Sequence, residues 1–197
     1  MRYKQLTTTI CLSAAVALLP AVALAGTVRK CAAGKVTPAS YTWNFRQEAN
    51  HVFAHTQSEA LRARSHAVQL KAFDLNADLD WRAYGDQLSQ LKSAVNQMSP
   101  DVCRLETIRR VLAPWQQHSV DRIAATLTSL ASNTEDAITF LNAHQETLWA
   151  PTFERYVGNI ETEAETLAQA TNNTVEYAKV GHEYRQLKRD LTAHASS

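Results

Sequence analysis

The chain has 197 residues, of which 45% are hydrophobic and 20% are charged, and its formal net charge is +1. Such a near-neutral balance argues against an electrostatic nucleic-acid binder and against a polybasic membrane protein. The length suits a single domain with its own hydrophobic core.

The first 25 residues have the pattern of an export signal. Arg2 and Lys4 form a positive start, and an uncharged apolar run follows from Ile10 to Leu24. Ala23-Leu24-Ala25 supplies the small–any–small pattern of a signal-peptidase site, and the run is shorter than the roughly 20 residues of a membrane-spanning helix. We therefore predict cleavage after Ala25, which leaves 18 basic and 19 acidic residues. The mature protein is expected to be periplasmic or secreted, without a stable membrane anchor.

Two cysteines remain after this cleavage. Cys11 lies inside the signal, whereas Cys31 and Cys103 belong to the mature chain. Exported proteins meet an oxidising environment, which favours pairing. We therefore predict a Cys31–Cys103 disulfide that pins an irregular segment, residues 26–42, onto a helical domain formed by residues 43–197.

The first half of this domain shows the apolar periodicity of helices and no strand-like alternation. It predicts one helix over about residues 43–75 and a second over about residues 81–98. Ser99-Pro100-Asp101 matches the signals of a helix start, so a third helix is predicted from there. Pro114 cannot donate to the preceding turn, so this helix should kink or restart near Ala113.

The second half contains two further helix starts. Ser132-Asn133-Thr134-Glu135 fits a capping box and predicts a short helix that ends near Trp149. Pro151 begins the last and longest helix, which carries apolar residues from Phe153 to Leu187. Short connections favour antiparallel neighbours, so the sequence predicts an all-α fold, an elongated up-and-down antiparallel helical bundle of about four to five helices with two of them long.

One constellation on the first helix has the residue types of a metal site. Glu48, His51, His55 and Glu59 fall within a sector of about 80° when the helix turns about 100° per residue. Two histidines one turn apart, with carboxylates on either side, are ligands that Zn²⁺, Cu²⁺ or Ni²⁺ can use. The sector lies at the flank of the apolar stripe, so a solvated helix face is the alternative interpretation. A di-iron centre is not expected, because the chain has no second Glu-x-x-His pair.

Catalytic and cofactor motifs are missing from the sequence, which has no Gly-x-Ser-x-Gly turn, no phosphate loop and no Cys-x-x-Cys-His haem attachment. We therefore expect a non-catalytic envelope interaction or scaffold protein without a resident cofactor. It would present an exposed apolar stripe, at residues 73–79 or 175–184, to a protein partner. The alternatives are a metal- or haem-binding bundle that uses His51 and His55, and a carrier of an apolar ligand in an internal cavity. The sequence leaves the oligomeric state open.

Overall fold

The computed structural model describes residues 31, 43–73, 80–147 and 150–195. The helices in these ranges are α1 (Phe45–Ala72), α2 (Trp81–Ile108), α3 (Pro114–Ala143) and α4 (Pro151–Ala195), with a 3₁₀ turn at Arg109–Val111. The predicted all-α fold is confirmed. The predicted export signal and all of the segment 26–42 except Cys31 lie outside the described residues.

The four helices form an up-and-down bundle. Each helix packs on its neighbour in the chain, and α4 closes the ring against α1. Phe73 after α1 lies 5.3 Å from Tyr84 near the start of α2, measured between ring centroids. Phe140 near the end of α3 lies 5.7 Å from Phe153 near the start of α4, and Tyr84 lies 5.6 Å from the same ring. These four rings, called the aromatic cluster below, close one end of the antiparallel bundle.

The helices contribute buried side chains of different sizes to the core. The buried face of α1 is mainly alanine, with Ala49, Ala60, Ala63 and Ala67 fully buried. Leucine and isoleucine supply four of the nine buried residues of α2 and four of the eight of α3, whereas α1 buries a single leucine. Because the distance between packed helices follows the size of the side chains at the contact, the alanine face lets α2 and α4 approach α1 closely.

Pro100 does not start a helix, contrary to the prediction. α2 is continuous from Trp81 to Ile108, with Pro100 exposed inside it. Ser99 acts as an interior residue rather than a cap, because its hydroxyl donates to the carbonyl of Val95 at 3.0 Å. Met98 and Val102 are buried on either side of the proline, so burial of the apolar stripe carries the helix through a locally unfavourable position.

The predicted helix start at Ser132 is also wrong. α3 runs without interruption through the capping-box sequence, and the buried stripe continues at Thr134, Ala137 and Leu141. The amide of Asn133 donates to the Glu163 carboxylate of α4 at 3.0 Å, so this side chain joins two helices. The predicted restart near Ala113 is confirmed, since the chain leaves α2 through the 3₁₀ turn and α3 begins at Pro114.

α4 is much longer than its neighbours and extends past the bundle. It has 45 residues, against 28 in α1 and 30 in α3, so it reaches roughly 25 Å further. Its last fully packed residue is Thr174. Leu187, one of the apolar residues on which the prediction of this helix rests, is 60% exposed. Residues 176–195 are called the arm below. None of the described helices is long and apolar enough to cross a membrane.

Candidate functional site

The Glu48 carboxylate of the predicted metal cluster is held by two hydrogen-bond donors. Arg104 Nε of α2 donates to Oε1 at 2.6 Å, and the indole nitrogen of Trp43 donates to Oε2 at 2.6 Å. The hydrogen bond from Arg104 is the main cause that lowers the pKa of Glu48. Glu48 therefore ties the start of α1 to the second half of α2.

His55 has a partner that the sequence does not reveal. Its Nδ1 lies 2.5 Å from Oδ2 of Asp101, 46 positions away on α2. This hydrogen bond raises the pKa of His55, with a further contribution from the negative charge of the same carboxylate. The position of Asp101 on α2, rather than at the start of a separate helix, places its side chain opposite α1.

His51 and Glu59 lie in different surroundings. His51 is exposed, whereas Glu59 is buried and forms an ion pair with Arg62 one turn later, at 3.3 Å. Within the described ranges, one set of three potential ligand groups comes within 4.8 Å, and it contains Cys31, Cys103 and Glu106. The four predicted ligands are not brought together in that way. The metal hypothesis stays a prediction, which elemental analysis of the purified chain would test.

We expect the His55–Asp101 pair to make stability depend on pH. The pKa of His55 is raised from its ordinary value of 6.5, so the stabilisation is fully present below pH 6.5 and is lost as the pH rises through the raised pKa. In the Asp101→Asn variant, an NMR titration of His55 should give a lower pKa, and the unfolding free energy should fall less over this pH range. Equal pH profiles for the variant and the wild type would contradict this prediction.

The predicted disulfide joins Cys31 to Cys103, with their Cα atoms 5.0 Å apart. Cys103 lies on α2 next to Arg104, the residue that holds Glu48. The start of α1, the last turns of α2 and Cys31 are therefore tied together at the end of the bundle opposite the aromatic cluster.

A groove of about 490 Å³ opens beside the start of α1. It is lined by Trp43, Asn44, Gln47, Glu48, His51 and Val52. Its volume is that of a small-molecule site, but the groove is open to solvent and four of these six side chains are exposed, unlike the enclosed cavity expected of a lipid carrier. The apolar-carrier hypothesis stays a prediction.

Five of the nine exposed large apolar side chains that the structure describes lie on the arm. Five large side chains there are between 60% and 68% exposed, and each is three or four positions from the next. They are Tyr177, Val180, Tyr184, Leu187 and Leu191, called the arm stripe below. The arm stripe overlaps the predicted segment 175–184 and continues for two further turns. In the other predicted segment, Phe73 is half-buried in the aromatic cluster and residues 74–79 lie outside the described ranges.

Beyond Tyr177, whose ring contacts Trp115 of α3, the arm stripe faces away from the bundle. At about 100° per residue, the buried side chains of α4 from Phe153 to Val175 centre on the direction of Phe153, whereas the arm stripe falls between about 160° and about 240° from it. The side of the arm that continues the core direction carries His182, Arg185 and Arg189, all exposed. The apolar side of α4 therefore changes by about half a turn near residue 176, and the arm stripe is a separate surface.

The arm leaves the bundle from a packed polar layer. The Thr174 hydroxyl lies 3.0 Å from the Ser119 hydroxyl of α3 and 2.7 Å from the carbonyl of Ala170. One turn later, the ring of Tyr177 lies 4.9 Å from that of Trp115 at the start of α3. These contacts fix the direction in which the arm projects.

No protein-family model, curated protein or solved structure matches this chain. The fold and the exposed surface define it as a four-helix bundle whose last helix projects as an apolar-striped arm.

Proposed function

We propose that the chain is an exported, non-catalytic interaction protein that presents its arm to a protein helix. This proposal rests on the arm stripe, which consists of five large apolar side chains, at least 60% exposed, on the side of α4 opposite to the core. Contiguous exposed apolar surface is characteristic of interaction sites. A spacing of three and four residues on a helix suits pairing with another helix.

Two further features support this proposal. The start of the chain has the pattern of an export signal, and a Cys31–Cys103 disulfide suits an oxidising compartment. The bundle acts as the scaffold in this proposal, because its core, the aromatic cluster and the contacts of Thr174 and Tyr177 with α3 hold α4 in place. The arm is then the part that binds.

Photo-crosslinking from the two sides of the arm tests this function. A photoreactive amino acid is placed at Leu187 on the arm stripe or, as the matched control, at Arg189 on the opposite side of the same turn, and the protein is irradiated in its native compartment. We expect protein adducts predominantly from position 187. Equal yields from both positions, or no adduct from either, would contradict the proposal.

A further inference from the structure

The arm stripe has the spacing of a coiled-coil seam. Successive members are separated by three, four, three and four residues, so Tyr177, Tyr184 and Leu191 take the a positions of a heptad and Val180 and Leu187 take the d positions. This spacing averages 3.5 residues rather than the 3.6 of a straight helix. A helix with such a stripe keeps it against a partner helix by supercoiling around that partner.

The charged residues beside the arm stripe indicate which helix it pairs with and whether the two helices run parallel or antiparallel. The g positions are all acidic, namely Glu176, Glu183 and Asp190, and the central e position is Lys188. In a parallel pair, a g residue faces the e residue five positions later in the other helix. Two parallel copies of this arm therefore place Glu183 of each chain opposite Lys188 of the other. An antiparallel pair brings g residues together and places Glu183 against Asp190.

We propose that the occupant of the arm stripe is the arm of a second copy of this chain, paired in parallel as a short two-stranded coiled coil. This inference rests on the proposed function, since it names the partner of the same surface. The self-complementary charges favour a second copy, and the orientation of the stripe permits it. Apart from Tyr177, which contacts Trp115 of α3, the arm stripe faces away from the other three helices, so the two bundles lie on opposite outer sides of the paired arms.

The paired surface is small, and its formation is aided by the bundle. Five side chains per chain, each covering roughly 100 Å², remove on the order of 1,000 Å² from water over both chains, which is near the lower edge of specific interfaces. A free helix of this length is only marginally stable, but the arm continues α4 and needs no new nucleation. We expect a reversible dimer with a dissociation constant on the order of 10 µM.

Sedimentation equilibrium of the purified exported chain from about 1 to about 500 µM tests this pairing. We expect a monomer–dimer equilibrium in the wild type and in the control Arg189→Ala, which changes the side of the arm opposite to the arm stripe. Leu187→Asp should be monomeric throughout, with the thermal unfolding of its bundle unchanged, because this side chain is 60% exposed in the single chain. A wild type that stays monomeric at the highest concentration overturns the proposal.

Charge reversal tests the direction of the pair. Glu183→Lys faces Lys188 of a parallel partner, so we expect roughly ten-fold weaker association, and the double variant Glu183→Lys/Lys188→Glu should restore it. Stronger association of the single variant would show an antiparallel pair and overturn the parallel one.

Two further outcomes separate this inference from the proposed function. A monomeric chain that still crosslinks to another protein through position 187 leaves the proposed function standing and overturns the second copy as occupant. A monomeric chain that instead binds vesicles of anionic phospholipid through the arm, without protein crosslinks, overturns both.

Discussion

The Cys103→Ser variant is expected to lose about 4 kcal/mol of unfolding free energy, because the disulfide closes a long loop in the unfolded chain. Cys31 and Cys103 are 72 positions apart, so the bond excludes the many open conformations of this long segment from the unfolded ensemble. Cys103 is only half-buried and serine is close to it in size, so the folded state changes little. Chemical denaturation of the oxidised wild type and the variant measures the difference.

Two controls isolate the effect of the bond from that of the side chains. The Cys31→Ser/Cys103→Ser double variant should be about as stable as the single variant, and the wild type in a reducing agent should match both. If reduction leaves the denaturation midpoint of the wild type unchanged, the loop-closure explanation is wrong.

The Phe153→Ala variant is expected to lose about 3–5 kcal/mol of unfolding free energy, since the substitution opens a cavity in the aromatic cluster. Phe153 is 1% exposed, and its ring contacts Tyr84 of α2 and Phe140 of α3. The residue therefore joins three helices at one end of the bundle. Thermal and chemical unfolding of the variant measure the loss.

The matched control for this substitution is on the same helix. Leu187→Ala also truncates a large apolar side chain, but in the arm, where it is 60% exposed. At micromolar concentration we expect a change within about 0.5 kcal/mol. Similar losses in the two variants would show that the arm is packed against the bundle in solution, contrary to the structure.

The sequence was sufficient for the fold class, the disulfide and the start of α4 at Pro151, because each depends on a strong local pattern or on few alternatives. The breaks at Ser99 and Ser132 were wrong because caps are local preferences worth about 1 kcal/mol. Burial of a continuous apolar stripe across the same positions contributes more. The partners of Glu48 and His55 could not be predicted, since Arg104 and Asp101 meet them only once α1 and α2 have packed.

The sequence contains the information that the apolar side of α4 changes near residue 176, but spacings of three and four residues do not show it. Val175 and Leu187 are 12 positions apart. Because 12 is a multiple of both three and four, the usual spacings of residues on one helix face, the spacing alone assigns the two residues to one stripe. At about 100° per residue the same separation is a rotation of about 120°. The angle of each residue around the helix axis, unlike the spacing, separates the buried residues of α4 from the arm stripe. This angle is the sequence signal that identifies the exposed surface.

The continuity of α4 has a mechanical consequence. One helix of 45 residues, about 68 Å long, runs from the aromatic cluster to the tip of the arm. Because the helix is continuous, a rotation of the arm about the helix axis also rotates the bundle. If the proposed partner binds the arm, the length of α4 sets its distance from the aromatic cluster, and the continuity of α4 sets the orientation of the bundle about the helix axis.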